Sequence, residues 1–139
     1  VDFAVFTDRS KMLVKLIELK GADFNFINVD ESLNEKISKA VQQVKRRFGF
    51  ISKYPDKFRD DAIKRWQEVE SGRQVFQSIK GKDLECDPTK VVRHSGAVVG
   101  GLETKEVLES NLKYEMEVGA SPFVKYDSWH SFARRLRRA

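Results

Sequence analysis

Two apolar runs, 1–6 and 12–20, flank the polar stretch Thr7-Asp8-Arg9-Ser10-Lys11, and Gly21 closes the second run. Short apolar runs bounded by turn residues read as β-strands, and two of them across so short a connection read as an antiparallel hairpin. The hairpin commits the start of the chain to a sheet. It also sets an acid, Asp2, at the opening of one strand beside an acid and a lysine, Glu18 and Lys20, at the close of the other. Strand side chains alternate faces, so Glu18 and Lys20 share a side, roughly 7 Å apart along the strand.

That set of side chains suits metal-dependent phosphodiester hydrolysis. A hard divalent cation, usually Mg²⁺, takes carboxylate oxygens and keeps several waters while touching a phosphate. Asp2 and Glu18 could supply the carboxylates. Such a cation polarises a phosphoryl oxygen and lowers the pKa of a bound water. Lys20, a compact cation on a flexible stem, could position that nucleophile or offset the charge developing on the phosphorane. A plainer reading stands beside this one. Asp2 would cap a strand edge, while Glu18 and Lys20 form an exposed ion pair of the kind that discourages edge pairing. A second acid-x-Lys triplet, Glu103-Thr104-Lys105, sits among Gly100, Gly101 and a helical pattern and reads as surface.

Residues 31–48 place Leu33, Ile37, Ala40, Val41, Val44 and Phe48 at helical spacing, an apolar stripe with a basic opposite face. Asp30 or Ser32 is expected to cap its start. At about 100° per residue, Gln43 falls at the rim of the stripe and Gln42 further toward solvent. Gln43 is therefore the glutamine expected to reach over the end of the sheet and orient Lys20 or a metal-bound water. Two solvated surface glutamines are the alternative.

In this order, Val1-Asp2-Phe3, Ile17-Glu18-Leu19-Lys20 and a helix carrying Ala40-Val41-Gln42-Gln43 resemble the PD-(D/E)-x-K nuclease superfamily. More narrowly, the chain resembles the nuclease domain of Shedu-type bacterial anti-phage proteins. That domain ends with a hydrophobic strand leading to a glycine, a helix, and a strand running into Tyr-Asp before a last helix. Here these are Val91-Val92 through Val98-Val99-Gly100, then 103–117, then Phe123-Val124-Lys125-Tyr126-Asp127-Ser128-Trp129. The likeness is weak over 54–88. It implies an α/β, restriction-endonuclease-like mixed sheet flanked by helices, lacking the family's first helix and strand. It implies one nuclease-like domain over 1–139, the C-terminal part of a longer protein. The implied active site is Asp2, Glu18, Lys20 and a helix glutamine, carried over as Gln43 with Gln42 as the alternative. Mg²⁺, or Mn²⁺, would sit on Asp2 and Glu18, with the Leu19 carbonyl as a further ligand. The resemblance also implies DNA as substrate, anti-phage defence as role, and a homo-oligomer. A non-catalytic nucleic-acid-binding or assembly module on the same fold is the competing expectation.

Charge agrees with a polyanionic partner. The 26 Lys and Arg against 21 Asp and Glu give +5 and a pI of about 9.4, a surplus that favours nucleic acid through counterion release. Lys45-Arg46-Arg47 follows the glutamines and is expected to track phosphates beside the site. Arg134, Arg135, Arg137 and Arg138 suit the C-terminal end of a helix as well as they suit DNA. The 40% hydrophobic content and ten Phe exclude a disordered class. One cysteine cannot form an internal disulfide. No apolar run approaches the roughly 20 residues that span a bilayer, so a cytoplasmic protein without membrane contact is expected, a bacterial one as the resemblance implies.

Elsewhere the pattern is less chemical. Residues 24–29 read as a loop, and Pro55 marks a boundary before a helix over 57–79. Phe58, Ala62, Ile63, Trp66, Val69, Val75 and Phe76 anchor that helix, and Gly72 breaks or bends it. Residues 81–88 read as a polar loop. A strand opening at Val91-Val92 is expected to be interrupted at His94-Ser95-Gly96. Asp127 is expected to cap a last helix containing Trp129, Phe132, Ala133 and Leu136. His94, His130 and Cys86 lack the spacing of a structural zinc site.

Overall fold

A computed structural model describes residues 1–7, 11–71 and 86–138. Its elements are β1 (Phe3–Phe6), β2 (Leu13–Leu19), α1 (Glu35–Lys53), α2 (Pro55–Glu70), β3 (Arg93–Val99), α3 (Glu106–Glu117), β4 (Val124–Asp127) and α4 (Trp129–Arg137). The strands form one four-stranded sheet in the order β1-β2-β3-β4. β1 pairs antiparallel with β2, as the hairpin predicts, with Phe3 opposite Ile17 and Phe6 opposite Val14. The other two pairings are parallel, so the fold is α/β with a mixed sheet. Among the described residues no helix is long and apolar enough to cross a membrane.

Register decides what meets the helices. Parallel pairing aligns Val14, Leu16 and Glu18 with His94, Gly96 and Val98, and Gly96 and Val98 with Val124 and Tyr126. Alternation puts all of these on one face. There Ile37, Ala40, Val41, Val44 and Phe48 of α1 close a core with Phe26, Ile27, Val98, Val124 and Tyr126. The helix seats closely because two glycines lack side chains. A Cβ on Gly96 would lie 2.6 Å from Val44 Cγ1, and one on Gly100 would lie 3.1 Å from Ile37 Cδ1. These two approaches order α1 antiparallel to β3. A second core gathers Met12, Val14, Ala62, Ile63, Trp66 and Cys86 beneath α2. Trp66 is fully buried, packs edge-on against Phe6, and donates its Nε1 proton to the Thr7 carbonyl at 2.7 Å.

Several expectations are corrected. α1 starts at Glu35, capped by Asn34, whose Oδ1 accepts from Lys36 N at 2.9 Å. Neither Asp30 nor Ser32 is the cap. Instead Ser32 donates its amide and hydroxyl to Asp30 Oδ1 within a turn that holds Glu31 at φ 68°. Asn28 N closes that turn on Ser32 O, and Leu33 bridges Ile27 before the helix begins. Phe26 and Ile27, which read as linker, are buried core. α2 is observed to Glu70. The predicted positions Gly72, Val75 and Phe76, and the Gly81-Lys82-Asp83 part of the predicted loop, lie outside the described residues, as does Asp8-Arg9-Ser10 of the hairpin turn.

β3 runs unbroken through His94-Ser95-Gly96, with Val91 and Val92 before it. Gly96 does not interrupt the strand but makes room for α1. The cap of α4 is Ser128, which accepts from Ser131 N at 3.2 Å. Asp127 instead accepts from Ser131 Oγ at 3.1 Å and pairs with Arg135 at 2.6 Å. Glu103 is not surface decoration. Its carboxylate is 11% exposed and bound by both terminal nitrogens of Arg134, at 2.6 and 2.8 Å. Two of the four terminal arginines are thereby engaged in fastening α4 to the domain.

Candidate active site

The hairpin delivers Glu18 and Lys20 to the α1 side of the sheet. Glu18 is buried. Its Oε1 accepts from Lys20 Nζ at 2.9 Å, and its Oε2 lies 2.8 Å from the Val1 amino group. The plain ion pair therefore exists, but its carboxylate is enclosed and not exposed. Burial penalises an ionised carboxylate and pushes Glu18 upward. The hydrogen bonds and charges of the Val1 amino group and Lys20 outweigh that push and hold Glu18 below the ordinary glutamate range. Lys20 sets a side-chain cation on that enclosed carboxylate.

Asp2 joins this pair from the neighbouring strand. Its amide donates to Ile17 O at 2.9 Å, and its Oδ2 accepts from Leu19 N at 2.7 Å. Asp2 is thus bonded on both sides of Glu18, and the structure brings Asp2, Glu18, Leu19 and Lys20 together. Two carboxylates on adjacent strands and a nearby backbone carbonyl are hard oxygen donors, which fit Mg²⁺. Among the described residues no three His, Cys, Asp or Glu gather into a metal-binding group. A divalent ion here would rest on the Asp2–Glu18 pair, with carbonyl and water oxygens completing its shell.

The glutamines stand apart from that bonded set. Gln42 and Gln43 are both exposed, and the Glu18–Lys20 pair closes without either. Along α1 they neighbour Val44, which meets Gly96, the register partner of Leu16 and two residues from Val98, the partner of Glu18. Lys45, Arg46 and Arg47 are exposed on the same helix.

Sequence reasoning missed how Lys20 is held. Its amide donates to Val99 O at 2.8 Å, and its carbonyl accepts from Trp129 Nε1 at 2.8 Å. Trp129 reads from the sequence only as an apolar helix position, and nothing local reveals where its N–H goes. His94 is not in this set. It lies at the other end of β3, with rings 5.1 Å from Phe48 and 5.7 Å from Phe58, and burial pushes its imidazole pKa down. It borders a cavity of about 360 Å³ with Ile51, Phe58 and Val92.

A family model described as Shedu protein SduA, C-terminal, matches residues 1–138. Neither the curated proteins nor the solved structures contain a match to the chain. The family match runs through every element of the fold, including the hairpin in which Glu18 lies on β2 and Asp2 and Lys20 flank the strands. The chain belongs to the Shedu SduA C-terminal family.

Proposed function

We propose that this chain is a restriction-endonuclease-like domain of the PD-(D/E)-x-K type that hydrolyses DNA phosphodiester bonds with Mg²⁺ in defence against phage. Family membership supports the defence role. The observation that carries the chemistry is the enclosed Glu18 carboxylate, paired with Lys20 at 2.9 Å and bracketed by Asp2. Asp2 and Glu18 would hold the ion, with the Leu19 carbonyl as a further ligand. Mg²⁺ or Mn²⁺ there would supply a polarised phosphoryl oxygen and a water of lowered pKa. Lys20 contributes an ammonium that orients the attacking water and offsets charge on the phosphorane. Gln43, on the exposed rim of α1, orients the same water, and Lys45, Arg46 and Arg47 track the DNA backbone.

The test is cleavage of linear and circular DNA by the full-length protein that carries this chain, with Mg²⁺, Mn²⁺ or EDTA. Cutting that requires the metal and vanishes in Lys20→Ala, with DNA binding retained, supports the reading. A folded protein that binds DNA under all these conditions and never cuts it is a binding module instead.

A further inference from the structure

We infer that Trp129 is a positioning residue for Lys20, its indole N–H clamping the Lys20 carbonyl so that the ammonium leaves the backbone in one direction. The inference rests on the nuclease reading above and adds a residue to it. β2 ends at Leu19, so Lys20 is the first residue beyond the regular ladder. Its amide still reaches Val99 O at 2.8 Å, but nothing in the strand pairing fixes its carbonyl. Trp129 Nε1 does so at 2.8 Å, from 109 residues further along the chain.

The clamp is itself anchored to the same turn. Trp129 N donates to Gly101 O at 3.0 Å, and Gly101 N donates to Gly21 O at 2.9 Å. Lys20, Gly21, Gly101 and Trp129 thereby close a ring of contacts around the end of β2. Gly101 sits at φ 71°, and a Cβ there would come within 2.9 Å of Phe26 N, so the turn accepts no larger residue without strain. On its other side the indole meets the Phe132 ring edge-on, with centroids 6.0 Å apart. The root of the lysine side chain is also confined, since a Cβ on Gly100 would lie 2.7 Å from Lys20 Cβ. With both peptide groups of Lys20 bonded and its Cβ against Gly100, the flexible stem starts from a fixed vector. The 2.9 Å hydrogen bond to Glu18 Oε1 depends on that start.

The experiment uses the full-length protein and replaces the indole N–H alone. Trp129→Phe keeps an aromatic ring, and exchange of Trp129 for benzothienylalanine keeps the bicyclic shape with sulfur in place of the N–H. Single-turnover cleavage, DNA binding and thermal melting are measured beside wild type, Lys20→Ala and Glu103→Gln, the last of which loosens the same helix at Arg134 and leaves the N–H. The expected result is a fall in cleavage rate of roughly 10- to 100-fold in both Trp129 variants, the scale of a small misplacement at a reacting centre. DNA affinity should stay within about twofold, as a positioning residue that does not touch DNA requires. Glu103→Gln, with a similar or larger drop in melting temperature, should keep its rate. Wild-type rates in both folded Trp129 variants would overturn the inference. So would a loss in Glu103→Gln equal to theirs, which would make the effect one of helix packing. If Trp129→Phe does not fold, the benzothienylalanine protein decides. Failure of wild type to cut would instead sink the nuclease reading.

Discussion

Lys20 Nζ meets Glu18 Oε1 at 2.9 Å, with the carboxylate side chain 5% exposed and the lysine side chain 28%. Glu18 lies within β2 and Lys20 just past its end, both on the same side of the sheet, but the two differ in exposure. Glu18 is enclosed, whereas the lysine side chain opens to solvent. A surface ion pair of this spacing would contribute about 0–1 kcal/mol. Here its consequence is to keep a buried carboxylate ionised, because removing the partner of a buried charge leaves it uncompensated.

That ionisation has a pH signature. Glu18 is held below its ordinary value of 4.5 in the folded chain, so the unfolded chain binds its proton more readily. The stability it contributes is present above that ordinary value and is lost as pH falls through the lowered folded value. Urea melts of the chain beginning at Val1, whose amino group shares in the lowering with Lys20, and of its Glu18→Gln variant, taken from neutral to acid, should show the unsubstituted chain losing stability more steeply in the window that opens near 4.5. Parallel curves would contradict the assignment.

The seating of α1 makes a paired prediction about glycines. Gly96→Ala puts a Cβ 2.6 Å from Val44 Cγ1 and 3.0 Å from Phe48 Cζ, and overpacking of this kind costs about 1–3 kcal/mol. Gly49→Ala lies within α1 with nothing inside 4 Å of the new Cβ, and should gain about 0.5–1 kcal/mol from helix propensity. Denaturant midpoints of the two variants should move in opposite directions.

The start of α1 can be located by its cap. Asn34→Ala removes the side chain that accepts from Lys36 N and should cost about 1 kcal/mol. Asp30→Ala, at the position favoured by the sequence pattern, gives up only exposed hydrogen bonds within a turn and should cost less. Equal losses in chemical denaturation would place the helix start elsewhere.

If Lys45, Arg46 and Arg47 meet phosphates, the salt dependence of DNA binding must contain them. Replacing the three by Ala should flatten the slope of log affinity against log salt by up to about 0.9 for each phosphate no longer neutralised. Fluorescence anisotropy across a salt series measures this. An unchanged slope would move the DNA path away from that face of α1.

How much of this is legible in the sequence depends on how far apart the interacting residues lie. The hairpin is readable because apolar runs and a polar connection are local, and its register then brings Asp2 beside Glu18 without further information. The stripe of α1 is readable for the same reason, and Ile37, Ala40, Val41, Val44 and Phe48 are its buried side. The start of the helix is not, because Asp and Ser serve helix caps and tight turns alike, and Asp30 and Ser32 bond each other in a turn. Gly96 reads as a strand break. A strand glycine also marks close approach of another element, and here that element is α1. The bond from Trp129 to Lys20 joins residues 109 apart, and no periodicity carries such a pairing. The pattern places Asp127 at the right junction with the wrong partner, since Ser128, one residue on, has equal standing as a cap and takes that position.

The measurement that tests the central claim most directly is single-turnover cleavage of duplex DNA by the full-length protein, wild type and Lys20→Ala, in Mg²⁺ and in EDTA. The account predicts cutting in Mg²⁺ alone, a loss of roughly 100-fold or more in the variant, and DNA affinity within about twofold of wild type. Cutting by Lys20→Ala at the wild-type rate, with the variant folded, would contradict it.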